Sequence, residues 1–520
     1  MALADWLRPT RIVAHPAEWV SCLALGTAGA ALMVGVSSFN LLAAGAIILA
    51  IPVLAVVVVR PRLGMLLLIF MISFVEEFRG GIGDTNTGGD EALRSERTPF
   101  YSITLGLPSL YIPDVLIGGL LFLYMVKLVL WRESPPFRLD KIGVALLLIV
   151  GSLAISVIVS LVRPDPFGPP VLDLSTLGSI KLPEKNVADV ARYFPILHFK
   201  LFALLFPSYL LGLFFFREEK DVRQMLAVIG LAMVCTIGLA TYRLASDPAI
   251  LRNLVPVVFD TGSVALMLMA VFYSVLMWAS GKYSVSRSLL QGIFCALLLL
   301  FILLSFRRTL WGAAALGGIM LPFILRPGAR GKFLMLGSIG TCGVLVLLGT
   351  TPPGQALLQS LVARVGETNL NQASTLYRFA LLVWLVDRFD DLPLFGYGVA
   401  PLWGEIVRIR FFAASMENVH SLFLWILLRT GAAGFAIWSF AFYLILARVL
   451  EVFRMVDDDR DRIILGVIFL SIVMLLFNGI FNPVYANVRH IVPLGISLAL
   501  VTRLPAILAR TRASTALPAV

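Results

Sequence analysis

Apolar runs of about 15–25 residues, separated by polar breaks, fill most of the chain. They fall at 19–36, 41–59, 63–76, 110–131, 142–162, 196–216, 222–242, 262–280, 287–305, 309–325, 333–349, 430–450, 463–482 and 488–505. A helix of about twenty apolar residues spans the hydrocarbon core of a bilayer. The pattern therefore predicts an all-α fold, a polytopic transmembrane helical bundle of about 12–14 spans. Three breaks are long, at 77–109, 163–195 and 350–429. The chain divides accordingly into helices with two long outer loops (1–349), a large helical outer loop (350–429), and C-terminal helices with a tail (430–520).

The third break has a pattern of its own. Across 374–388, Leu376, Ala380, Val383 and Leu385 recur beside Arg378 and Arg388, as in an amphipathic helix lying on a membrane face. Pro393, Gly396 and Gly398 then demand a turn.

Charge sets the expected orientation. Alternate breaks are short and basic: Arg60 and Arg62, Arg138 and Lys141, Arg217 to Arg223, Arg326 to Lys332, Arg448 to Arg462, and Arg503 to Arg512. Basic residues collect in short cytoplasmic loops. Both termini are thus expected in the cytoplasm and 350–429 on the outer side, the periplasm of a two-membrane cell.

Composition narrows the function. Hydrophobic residues make up 59% and charged residues 14%, with a net charge of +11. The basic loops account for that charge, and no soluble stretch carries a groove-reading element, so a nucleic-acid partner is not expected. Cys22, Cys235, Cys295 and Cys342 all fall in apolar runs without metal-ligand spacing. No phosphate-binding glycine loop and no His-Glu-x-x-His motif occurs. Neither a metal nor a cofactor is expected.

Several polar residues break the hydrophobic pattern. Arg307 and Arg308 sit in a very short outward turn, where basic residues are disfavoured. An arginine at a membrane boundary needs water, a carboxylate or a phosphate. Its guanidinium grips a phosphate in a two-pronged contact, although snorkelling to headgroups satisfies it equally. His420 ends Glu417-Asn-Val-His420 at the mouth of the next helix, and Asn418 is a candidate cap there. Histidine exchanges a proton near neutral pH, but a lone interfacial histidine also serves as a hydrogen-bonded anchor. Tyr377 and Arg378 lie on the loop helix, and Arg429 just before Gly431. His490 and Asn478, near the outer ends of the last spans, read as packing groups.

Three segments together resemble the O-antigen ligase and polymerase superfamily of bacterial membrane glycosyltransferases. Ser305-Phe-Arg-Arg-Thr309 is similar to its Ser-x-Ser-Arg turn, with Arg308 on the family arginine and Arg307 replacing a small residue. Arg378 followed by Pro393-Leu-Phe-Gly-Tyr-Gly398 is similar to its arginine helix and turn. His420 to Gly434 is similar to its His-Asn-x-x-Leu…Gly-x-x-Gly helix, with Ser421 in place of the asparagine. The likeness is closest over about 290–450.

The resemblance implies a metal-independent, inverting transferase. Its donor is an oligosaccharide on a polyprenyl diphosphate, and its acceptor another glycan or a lipid A-core sugar. Arg308 and Arg378 would hold the diphosphate and His420 would take the acceptor's proton. Arg307, Tyr377, Glu417, Asn418 and Arg429 are candidate contacts to diphosphate or acceptor. Membrane lipids and other polysaccharide-assembly proteins are the implied partners, and the inner membrane the implied location. A transporter of a small anion or lipid-linked sugar, and a non-catalytic envelope scaffold, are the competing readings. Transporters place their essential ionisable groups near mid-membrane, whereas the unusual residues here sit at the outer boundary.

Overall fold

The computed structural model describes residues 60–74, 112–131, 140–162, 199, 203–246, 261–281, 285–305, 307–351, scattered positions from 355 to 399, 406–409, 412–415, 419, 421–481 and 488–516. Twelve helices run through them: α1 Pro61–Phe74, α2 Ile112–Trp131, α3 Lys141–Val162, α4 Leu205–Phe215, α5 Glu219–Ser246, α6 Thr261–Ala279, α7 Val285–Leu303, α8 Arg308–Ile324, α9 Pro327–Thr350, α10 Leu422–Met455, α11 Asp459–Phe481 and α12 Val488–Ala516. They coincide one for one with the third to fourteenth predicted runs. The runs at 19–36 and 41–59 lie outside the described residues.

Lipid offers no partner for a backbone N–H or C=O, so each apolar run closes its own hydrogen bonds as a helix. By length and composition α3, α5, α10, α11 and residues 490–510 of α12 can cross a membrane. The chain is a multi-pass helical membrane protein.

One local feature departs from the expected helical loop. Ile406–Ile409 (β1) pairs antiparallel with Phe412–Ser415 (β2), with Val407 opposite Ala414 and Arg408 opposite Ala413. Only Arg410 and Phe411 connect the strands, and the β-branched stretch Ile406-Val-Arg-Ile409 favours a strand over a helix.

Two apolar cores form among the described residues. The first joins α1, α2, α3, α4, α10 and α12 around Leu146, Leu211, Trp438 and Leu500. The second joins α6, α7 and α8 with the middle of α5 around Met233, Met267, Leu298 and Ala313. Helix α11 feeds both, giving Leu465, Ile468 and Ile472 to the first and Leu470 and Met474 to the second. Helices α4 and α12 pack closely, and a Cβ on Gly212 would lie 2.5 Å from Ala499 Cβ. Small residues let membrane helices approach in this way.

The breaks predicted to be basic and inward meet on one face. Arg62 Nη1 lies 3.7 Å from Asp221 Oδ1, and Arg326 Nε 2.7 Å from Asp459 Oδ1. Arg460 Nη1 donates to Glu219 Oε1 at 2.9 Å, and Arg503 Nε to the Phe216 carbonyl at 3.0 Å. Asp221 is fully buried and organises the start of α5. Its Oδ2 accepts from Arg217 N and Glu218 N, both at 2.9 Å. A carboxylate in a helix's first turn satisfies donors that the helix cannot.

Asp221→Ala removes both acceptors and leaves Arg62 without this carboxylate. The expected cost is about 1–3 kcal/mol, read as a lower melting temperature of the detergent-solubilised protein.

Candidate active site

Opposite the basic face, the α7–α8 turn presents Arg307 and Arg308. Its tightness has a local cause. Helix α7 ends at Leu303 and exposes late carbonyls. The carbonyl of Ile302 accepts from Ser305 Oγ at 2.6 Å and from Trp311 Nε1 at 3.1 Å. Arg307 occupies the N-cap position, with its carbonyl accepting from Leu310 N and Trp311 N at 2.9 and 3.1 Å. Arg307 is exposed and Arg308 half-buried. Both guanidinium-bearing residues therefore stand at the positive end of the α8 dipole, where a cation is disfavoured and an anion favoured.

A second assembly surrounds the start of α10. Run 430–450 was expected to begin the span, but the helix starts at Leu422. Arg429 lowers the hydropathy of any window across it, yet the bundle encloses this side chain, leaving it 2% exposed. The N-cap position is Ser421, with Trp425 N donating to its carbonyl at 2.8 Å; the candidate cap Asn418 lies outside the described residues. Helix α10 breaks at Gly431, which has φ 68° and ψ −173°, a conformation essentially reserved for glycine.

The break frees backbone groups, and the Pro393–Gly398 turn takes them up. Tyr397 N donates to the Leu428 carbonyl at 2.8 Å, and Gly398 N to the Arg429 carbonyl at 3.1 Å. In return Ala433 N donates to the Leu394 carbonyl at 3.1 Å. Gly396 and Gly431 face each other so closely that a Cβ on Gly396 would lie 2.5 Å from Gly431 N. The two glycine motifs of the sequence are thus the two halves of one backbone clamp.

Helix α3 supplies a third part that the sequence reading missed. Ser156 Oγ donates to the Arg429 carbonyl at 2.7 Å. One turn outward, Ser160 abuts Gly398, where a Cβ would lie 2.1 Å from its Oγ. One turn inward, Ser152 Oγ accepts from Trp438 Nε1 at 2.9 Å. The readable signal was a serine every fourth residue in an otherwise apolar span, which puts all three on one helical face.

The clamp and the arginine turn rest on different cores. Leu304 and Leu310 beside the arginines belong to the second, Leu428 and the partly buried Tyr397 to the first. Tyr377, Arg378, Glu417, Asn418 and His420 lie outside the described residues. Their described neighbours are informative in part. Val419 and Ser421 are buried, at 1% and 9% exposure. Leu382 and Val386 are helical, four residues apart and exposed, as a membrane-facing helix requires. Asn478 and His490 are buried at 2% and 4% exposure, and His490 borders a small cleft between α6, α11 and α12 with Ser471 and Met269.

Residues 293–439 match the family model of the O-antigen ligases. Over this segment the chain is similar to the O-antigen ligases. The ligase segment runs from within α7 to the middle of α10, so it contains the arginine turn, the hairpin and both glycine motifs of the clamp. The α3 serines lie outside it. No curated protein and no solved structure matches the chain.

Gly431→Ala is expected to cost about 1–3 kcal/mol through its backbone conformation alone. Gly398→Ala should undock the turn from Ser160, read as faster protease cleavage of the 350–420 stretch in intact membrane preparations. Gly328→Ala, with nothing within 4 Å of the added methyl, should leave both readouts unchanged.

Proposed function

We propose that this ligase-family chain is a glycosyltransferase that transfers or polymerises glycan repeats carried on a polyprenyl diphosphate. The observation that carries this reading is the family match over 293–439, a stretch that holds every candidate site residue. It is supported by the two arginines at the start of α8, where a helix terminus adds to their pull on a phosphate.

In this reading the donor sits at the outer face of the inner membrane, with both chain termini in the cytoplasm. Arg308 and Arg378 grip the diphosphate. His420 takes the proton of the acceptor hydroxyl, whose oxygen attacks the anomeric carbon. The bond from that carbon to the diphosphate oxygen breaks, and its electron pair leaves with the polyprenyl diphosphate. Arginines held in place before the reaction stabilise that growing charge without reorganising. Attack opposite the leaving group inverts the anomeric centre. Arg307, Tyr377, Glu417, Asn418 and Arg429 hold the diphosphate or the acceptor. No metal takes part in this scheme. The acceptor is a second lipid-linked repeat in a polymerase and a lipid A-core sugar in a ligase.

The test is the surface glycan profile of a deletion strain complemented with wild type or variants at matched membrane levels. Arg308→Ala and His420→Ala should each slow transfer by roughly 10²-fold or more. Arg308→Lys keeps the charge but loses the two-pronged contact, and should also fall well below wild type. Single repeats in the deletion strain mark a polymerase; long polymer held on the carrier marks a ligase. Two variants matching wild type would overturn the site, and an unchanged deletion profile would overturn the function.

A further inference from the structure

Away from the candidate active site, on the basic face, Asp140 and Lys141 at the start of α3 and Arg448 of α10 line a cleft of about 490 Å³. Ligand sites commonly have such volumes. Val144 and Leu444 form its apolar wall. Glu451 completes the ring. It pairs with Lys141 Nζ at 3.0 Å through Oε2 and with Arg448 Nη1 at 3.1 Å through Oε1.

The ring is held rigidly from behind. Asp140 Oδ1 accepts from Tyr209 Oη of α4 and from Gly143 N, both at 3.0 Å. Its Oδ2 accepts from Thr502 Oγ1 of α12 at 2.9 Å and stands 3.7 Å from Arg448 Nε. Asp140 thus fixes Arg448 but has little capacity left for a ligand. Donors are in surplus at the front. Lys141 carries three N–H groups, of which the described contacts use one, and its side chain is 55% exposed. Arg448 keeps its Nε buried beside Asp140 Oδ2, so its contact to a ligand falls to its terminal guanidinium nitrogens. Glu451, 35% exposed, keeps spare acceptor capacity towards the opening.

Two cations and two carboxylates leave the ring with no net charge. It offers N–H donors and one open carboxylate side by side, at a membrane boundary. From the apolar wall the helix faces continue towards mid-membrane as exposed apolar side chains. One turn from Val144 is Leu147, and one turn from Leu444 is Phe440, at 41% and 53% exposure. We propose that this cleft binds a phospholipid with a primary-amine headgroup, the ethanolamine class. Its phosphate bonds Lys141 and Arg448, its ammonium donates to Glu451, and its acyl chains lie along Leu147 and Phe440. A choline headgroup has no N–H for Glu451. A glycerol headgroup brings a net negative charge next to two carboxylates with no ammonium to offset it. This site is independent of the glycosyltransferase reading.

The test uses the full-length purified protein and native mass spectrometry after exchange into lipid mixtures. The probes are dioleoyl phosphatidylethanolamine, phosphatidylcholine and phosphatidylglycerol at equal mole fraction. Wild type should retain the ethanolamine lipid over each competitor by about tenfold, the worth of one charge-assisted hydrogen bond. Glu451→Gln should erase the preference over choline while still binding phospholipid, and Lys141→Ala should weaken all three. Melting temperatures in lipid-free detergent identify any variant that fails to fold; Glu451→Asp, which keeps the carboxylate, should restore the preference in part. Equal retention of ethanolamine and choline lipids would overturn the proposal. So would a preference for the glycerol lipid, or a preference that survives Glu451→Gln.

Discussion

A membrane helix cannot be interrupted without a partner for every backbone group set free, because lipid supplies none. Helix α10 breaks at Gly431, and the architecture around it follows from how that break is satisfied. The Leu428 and Arg429 carbonyls receive Tyr397 N, Gly398 N and Ser156 Oγ, while Ala433 N finds the Leu394 carbonyl. The surface loop and the broken helix are thereby tied through main-chain atoms, and the neighbouring span joins them through the Ser156 hydroxyl. Such contacts fix the loop's position largely without regard to side-chain identity, except where a Cβ would intrude. Gly396, Gly398 and Gly431 occupy those places.

The two ends of the bundle use polar groups in different ways. On the basic face, arginines and lysines are absorbed by carboxylates and helix-end carbonyls, as in Arg62 with Asp221 and Arg503 with Phe216 O. Pairs of this sort tie adjacent breaks together. At the α7–α8 turn, Arg307 and Arg308 begin a helix whose dipole opposes them. Helix α11 joins the two cores by packing into both. The arginine turn and the clamp rest on different cores.

Much of this was legible in the chain. Apolar length alone located α1 to α12, because a span must be both apolar and about twenty residues long. The alternation of basic breaks foretold which loops would meet on one face. The short turn before Arg308, the Pro393–Gly398 turn and the break at Gly431 were each visible as local chemistry. Less visible was Leu422–Thr430, since Arg429 disguises an enclosed helix as loop. The hairpin at 406–415 was missed because eight paired residues leave only a faint alternation inside a long polar stretch.

The sequence by itself determined the class of the protein, its helices, its separation of charge and its family motifs, since each depends on residues close together in the chain. Tertiary structure alone decided that Gly396 and Gly431, separated by a hairpin, close on one another. It also decided that Ser156, 273 positions from Arg429, completes their hydrogen bonds. No local pattern encodes such pairings. They arise when α3 packs against α10 and the backbone groups left open by the break must find whatever donors that packing brings within reach.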